Sequence, residues 1–265
     1  MEFKSVKCGK LSISNKNPFT LIAGPCQLES EKHALDVAAE LKKITGKLGV
    51  GLIYKTSFDK ANRTSIKGKR GAGLEKSLPV FDKIRKDLEI PVLTDVHTIE
   101  QCSVVSKHVD IIQIPAFLCR QTDLLLEAGH TMNTVNIKKG QFVEGKNMVH
   151  AVNKVLSTGN KNIWLTERGS MFGMGDLVVD FRQIVDMKEL GYPVIMDCTH
   201  STQRPNSGDT TAGQPKYAIH IAKCAKAVDV DGYFFEVHED PSAAWSDGSN
   251  MIQLNKFEEI LKQLV

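Results

Sequence analysis

The stretch Lys55-Thr56-Ser57-Phe58-Asp59-Lys60-Ala61-Asn62-Arg63-Thr64-Ser65 packs three cations and several neutral hydrogen-bonding groups into one short segment. It follows the apolar run Val50 to Tyr54, which reads as a buried strand. Groups of this kind at a strand end suit a phosphorylated, polyhydroxylated small molecule. Lysine brings a mobile point charge, arginine a planar fork for phosphate, and asparagine and serine directional hydrogen bonds. Taken alone, the stretch fits a solvated basic loop at least as well, so its meaning depends on the elements that carry it.

Chemically capable groups recur after other apolar runs: Gly24-Pro25-Cys26-Gln27, Asp95-Val96-His97, Gln113-Ile114-Pro115-Ala116-Phe117, Lys138-Lys139, Glu167-Arg168-Gly169, Asp197-Cys198-Thr199-His200-Ser201 and Glu236-Val237-His238-Glu239-Asp240. The strands expected before them are Phe19–Gly24, Gly51–Tyr54, Pro91–Asp95, Ile111–Pro115, Thr134–Ile137, Ile163–Thr166, Pro193–Asp197 and Tyr233–Val237. Amphipathic helices are expected at Glu31–Leu48, Leu74–Leu88, Ile99–Lys107, Gln121–Gly129, Met148–Thr158, Leu177–Leu190, Tyr217–Val228 and Leu254–Val265. Continuous apolar strands indicate burial on both faces, as in a parallel sheet. Eight strand–helix units in 265 residues favour a closed (β/α)₈ TIM barrel over an open doubly wound sheet. The whole chain, residues 1–265, reads as one such domain. Phe3 to Asn15, with Gly9-Lys10 near a turn, reads as a hairpin within residues 1–15 that caps the barrel bottom. In such a barrel the residues after the strands form a functional rim.

Two chemistries are legible on that rim. Lys55, Lys60, Lys138 and Arg168 would converge, and a group of cations calls for a neutralising anion, phosphate being the natural one. Cys26, His200 and Glu236 follow strands one, seven and eight, which are neighbours once a barrel closes, and Asp247 in the next loop is within reach. One thiolate, one imidazole and two carboxylates suit a divalent ion such as zinc, iron, manganese or cobalt. His238 competes with His200 as the imidazole, and a lone cysteine after Gly-Pro is commonly just a packed small residue.

Composition narrows the classes. A net charge of +3 gives no reason to expect nucleic acid or an anionic membrane as partner. No apolar run approaches the roughly 20 residues of a membrane span, and Met1-Glu2-Phe3-Lys4 does not open a signal peptide. Six scattered cysteines without a CxxC pair read as reduced thiols of a cytoplasmic protein. Loops Gly208–Gly213 and Ser242–Asn250, rich in Gly, Ser and Asp, are candidates to close over the site.

At these residues the chain resembles the 3-deoxy-D-manno-octulosonate 8-phosphate synthases. The matching stretches include Ala23-Gly24-Pro25-Cys26, Phe58-Asp59-Lys60-Ala61-Asn62-Arg63, Thr94-Asp95-Val96-His97, Gln113 to Leu118, Asn136-Ile137-Lys138-Lys139, Glu167-Arg168-Gly169, Thr199-His200-Ser201-Thr202-Gln203 and Glu236-Val237-His238. The resemblance implies a barrel enzyme, usually a homotetramer, that condenses phosphoenolpyruvate with D-arabinose 5-phosphate and water. The products are 3-deoxy-D-manno-octulosonate 8-phosphate and phosphate, in lipopolysaccharide biosynthesis. Carried over by position, Lys55, Ser57, Lys60, Gln113, Ala116, Lys138 and Arg168 would hold phosphoenolpyruvate. Asn62 and Arg63 would take the sugar phosphate, from a neighbouring subunit, while Lys60, Asp95 and His200 would serve catalysis. Cys26, where metal-independent members have Asn, places the chain in the metal-dependent class, with His200, Glu236 and Asp247 as further ligands. Thr64 departs from the serine expected there but keeps the hydroxyl. Three rival readings stand beside this one. They are a sibling synthase making heptulosonate 7-phosphate or sialic acid, a Schiff-base aldolase using Lys138 or Lys55, and a catalytically silent sugar-phosphate-binding barrel.

Overall fold

The computed structural model describes residues 4–14, 18–172, 175–205 and 212–265. Eight strands pair in parallel, each with its sequence neighbour: β1 (Thr20–Gly24), β2 (Gly51–Lys55), β3 (Val92–Asp95), β4 (Ile111–Ile114), β5 (Thr134–Lys138), β6 (Ile163–Glu167), β7 (Val194–Asp197) and β8 (Gly232–His238). β8 also pairs with β1, closing the barrel. Helices α1 (Glu31–Leu48), α2 (Leu74–Asp87), α3 (Ile99–Val105), α4 (Thr122–His130), α5 (Val149–Leu156), α6 (Arg182–Lys188), α7 (Ala218–Ala227) and α8 (Leu254–Leu261) follow the strands in order. The fold is therefore the expected (β/α)₈ barrel.

Local chemistry sets these elements. α1 starts where the Ser30 hydroxyl accepts the His33 N–H, and it stops at Gly49, whose φ of 66° suits glycine. The sequence pattern placed its limits correctly. It misplaced the start of α6, expected at Leu177. Leu177–Val178 instead forms a short antiparallel ribbon with Ser170–Met171, and the helix begins only at Arg182.

The barrel interior has two levels. Ile22, Ile53, Leu93, Ile111, Trp164, Ile195 and Phe234 form one apolar cluster. Two residues further along the same strands stand Gly24, Lys55, Asp95, Gln113, Thr166, Asp197 and Glu236. Side chains two apart on a strand share a face and lie about 6.6 Å apart along it, so the polar set forms a layer nearer the strand C-termini. A hairpin of Val6–Cys8 and Leu11–Ile13 adds Val6, Cys8 and Ile13 to the apolar cluster and closes the N-terminal end. Phe3 and Asn15, the expected limits of that hairpin, lie outside the described residues, as does most of the loop Gly208–Gly213. All six cysteines are free thiols. Among the described residues no helix is long and apolar enough to cross a membrane.

Candidate active site

Backbone geometry brings the first loop into the barrel mouth. Gly24 has φ of 159°, and a Cβ there would lie 1.9 Å from the Lys55 carbonyl oxygen. Only glycine fits where β1 approaches β2 this closely, and the next two residues, Pro25 and Cys26, are buried. The next two loops are joined by the Leu28 N–H, which donates to the Ser57 carbonyl at 2.8 Å.

Cys26 meets Asp247 and Glu236. Its thiol donates to Asp247 Oδ2 at 3.2 Å and accepts from the Ser246 hydroxyl at 2.9 Å. The Cys26 sulfur and one oxygen each of Glu236 and Asp247 lie within 4.8 Å of one another. Asp247 has φ of 51°, a left-handed conformation that costs a non-glycine residue energy and so marks a constrained position. His200 stands beside this trio, its Nε2 3.4 Å from Glu236 Oε1. Its Nδ1 is 2.7 Å from Asp197 Oδ2, a carboxylate–imidazole contact that orients the ring and leaves Nε2 facing the site. Of the two competing imidazoles, His200 is the one placed here.

The cations converge, but each of the lysines already has a partner. Lys55, fully buried, donates to Glu236 Oε1 at 2.8 Å and to the Cys26 carbonyl at 3.2 Å. Lys138 donates to Asp197 Oδ2 at 2.5 Å, and Lys60 lies 3.9 Å from Asp95 Oδ2. Carboxylates of the protein therefore balance the lysines, which corrects the expectation that a bound anion must do so. Arg168 differs. It donates to Gln203 Oε1 at 2.6 Å, reaches no carboxylate at ion-pair distance among the described residues, and keeps a buried guanidinium nitrogen without a partner.

The Asp95 carboxylate anchors one end of a relay of neutral side chains. It accepts from Ser57 and from Gln113, whose carbonyl accepts from Asn136 at 2.8 Å, and Asn136 accepts from Thr166 at 2.7 Å. The charges follow this wiring. Burial works against the Asp95 carboxylate, but Lys55 and Lys60 hold it well below the usual range. Burial opposes Glu236 as well, yet His200, Lys55 and Lys60 lower it to about 2. Burial also works against the Lys60 charge, but Cys26, Glu236, Asp95 and Asp247 raise it above its ordinary value. Burial lowers Lys138, against the pull of Asp197. Burial, and then Glu236, push the Cys26 thiol up.

Ala116 opens a short 3₁₀ turn after β4. Asn62 and Arg63 do not join the group. Asn62 is exposed, and Arg63 packs beside Gly68 in the loop before α2. The reading of the sequence left out Asp197, Asn136, Thr166, Gln203 and Ser246 as working parts. The two-residue step from an apolar interior position to a polar one finds two of them, Thr166 after Trp164 and Asp197 after Ile195.

The model of the DAHP synthetase I family matches residues 3–265. The chain belongs to this family. Curated relatives are similar along nearly their whole length. A protein named 2-dehydro-3-deoxyphosphooctonate aldolase from Brucella abortus (strain S19) is 51% identical over 262 residues, covering 98% of this chain and 95% of the relative. Its namesake from Chelativorans sp. (strain BNC1) is 51% identical over 261 residues, with the same coverage. This name denotes the synthase family that the sequence resembles, so membership of that branch of the DAHP synthetase I family, and the reading of the chain as an enzyme, are borne out.

Proposed function

We propose that this barrel condenses phosphoenolpyruvate with D-arabinose 5-phosphate and water, giving 3-deoxy-D-manno-octulosonate 8-phosphate and phosphate, a step of lipopolysaccharide biosynthesis. The observation that carries the reading is the pair of hydrogen bonds that Lys55 donates, to Glu236 and to the Cys26 carbonyl. It ties the cation group and the thiol–carboxylate group into one pocket, where two anionic substrates and an ion can meet.

The residues fit a divalent ion. Glu236 Oε2 is buried without a hydrogen-bond partner among the described residues, and Cys26, Glu236 and Asp247 supply soft and hard donors within 4.8 Å. His200 Nε2 offers a fourth donor. When bound, the ion supplies Lewis-acid polarisation of the aldehyde or activation of the water.

The chain's own groups do the rest. Lys60, Lys138 and Arg168 bind the phosphate and carboxylate of phosphoenolpyruvate, and the unpartnered Arg168 nitrogen is free to take an oxygen. Ser57 and Gln113, held by Asp95, orient it. C3 attacks the aldehyde carbon of the sugar, forming the carbon–carbon bond and leaving positive character at C2. Water adds at C2, the bond to phosphate breaks, and Asp95 and His200 handle the protons. Holding the two anions in contact supplies several kcal/mol of the barrier.

Asn62 and Arg63 bind the sugar phosphate of a neighbouring protomer in a cytoplasmic homotetramer. Support comes from their place outside the pocket and from exposed Phe117, Phe142 and Met171 on adjoining rim loops. The test is phosphate release from phosphoenolpyruvate with arabinose 5-phosphate, erythrose 4-phosphate or N-acetylmannosamine. Release with the first alone is expected; preference for another sugar points to the sibling chemistry.

A further inference from the structure

A second group of ligand-type side chains lies beside the pocket. Glu29, His33 and His238 each place one donor atom within 4.8 Å of the others. Hydrogen bonding argues against a metal there. The Asp240 N–H donates to His238 Nδ1 at 3.0 Å, so in the neutral ring the hydrogen sits on Nε2. That nitrogen is buried, has no hydrogen-bond partner among the described residues, and stands 3.4 Å from Glu29 Oε1. In that tautomer the nitrogen nearest Glu29 carries a hydrogen and offers no lone pair to an ion.

The better-made contact of Glu29 is with backbone. Its Oε1 accepts the Trp245 N–H at 2.8 Å. Glu29 is three residues after Cys26, and Trp245 is two residues before Asp247. The Glu29–Trp245 and Cys26–Asp247 contacts are therefore rungs between the same two loops, with the Ser246–Cys26 bond between them. Beyond the loop, Ile252–Gln253 pairs with the end of β8. On the other side, Lys69 Nζ sits 4.4 Å over the Trp245 ring. The left-handed Asp247 lies inside this frame and has to be held there.

From this geometry we infer that Glu29 is a positioning residue: by accepting the Trp245 N–H, with His238 Nε2–H behind it, it fixes the register in which Asp247 faces Cys26. The consequence for metal binding rests on the function proposed above; the ordering of the loop does not. Outer groups that orient ligands change metal affinity by about 10- to 100-fold.

The experiment compares the parent with Glu29→Ala and Glu29→Gln, the second keeping a carbonyl oxygen for the Trp245 N–H. Amide exchange of the Trp245 segment and iodide quenching of Trp245 fluorescence are read on metal-free protein. Trp164 is fully buried and serves as the silent internal reference. Glu29→Ala is expected to speed Trp245 exchange by about tenfold or more and raise quenching, and Glu29→Gln to restore most of the protection. Cobalt is then titrated and the thiolate-to-cobalt absorption followed, with a 10- to 100-fold weaker fit expected for Glu29→Ala. Unchanged exchange in Glu29→Ala, or equal loss in Glu29→Gln, overturns the inference. A parent that shows no cobalt–thiolate band overturns the metal reading instead, while the exchange data still decide the role of Glu29. Far-ultraviolet circular dichroism separates loss of the loop contact from loss of the fold.

Discussion

The two ends of the barrel are made from the same strands and do opposite work. At the N-terminal end Ile22, Ile53, Leu93, Ile111, Trp164, Ile195 and Phe234 pack with the hairpin into a dry cluster. Two residues on, the strands present Lys55, Asp95, Gln113, Thr166, Asp197 and Glu236. Phe234 is the floor between them, with Lys138 Nζ 4.2 Å and Lys55 Nζ 5.4 Å from its ring centre. The lower level is held by packing, with the Trp164 indole nitrogen its one side-chain nitrogen or oxygen, buried without a hydrogen-bond partner among the described residues. The upper level buries charges at a cost that is offset only by mutual pairing, and it leaves Arg168 and one Glu236 oxygen unmatched. Stability resides in one level and unspent binding capacity in the other.

That division can be broken by substitution. Trp164→Ala empties the lower level and is expected to lower the unfolding free energy by about 3–5 kcal/mol in urea titration. The KM values of the folded fraction should be unchanged; a KM change with intact stability would dissolve the distinction. Arg168→Ala should do the reverse. Its kcat/KM is expected to fall by about 10²–10³-fold, with an unfolding midpoint close to the parent's, because no carboxylate among the described residues loses a partner at ion-pair distance. Cys26→Asn is a gentler change within the upper level. Part of the phosphate release should persist and should no longer respond to chelator, and a variant still abolished by chelator would remove Cys26 from the ligand set.

The smallest effect concerns a charge at the lower end. Asp231 accepts the Val194 N–H at 2.7 Å, and burial raises its carboxyl to about 6. An unfolded carboxyl titrates near pH 3.9, so between about pH 4 and 6 the folded state holds more protons than the unfolded one. This group's contribution therefore declines as pH rises through that window and is constant above it. Asp231→Asn lacks the decline. The difference in unfolding free energy between variant and parent should grow in the variant's favour from about pH 4 to 6 and then level off. A flat difference would show that Asp231 does not titrate there.

The barrel was legible because each apolar run ended in a turn and a helix pattern, and α1 shows how well caps mark limits. The start of α6 was misplaced because Leu177 and Val178 are apolar and continue the helical pattern yet find a ribbon partner in Ser170–Met171, a tertiary fact. The cations were legible as residue types at strand ends. Their pairing with Asp95, Asp197 and Glu236 was not, because strands buried on both faces read as continuous apolar runs and hide which residues face inward. Asn62 and Arg63 show the opposite limit. The loop before α2 holds them apart from this chain's pocket, which is compatible with the expected role toward a neighbouring subunit's sugar phosphate, and the sequence alone does not show whose site they serve.

The central claim is that the upper level is one pocket joining an anion site to a metal site through Lys55. Phosphate release from phosphoenolpyruvate and arabinose 5-phosphate tests it most directly, measured on protein stripped by chelator and again after a divalent ion is returned. The account expects activity to vanish and then recover. Full activity in the stripped protein would contradict it.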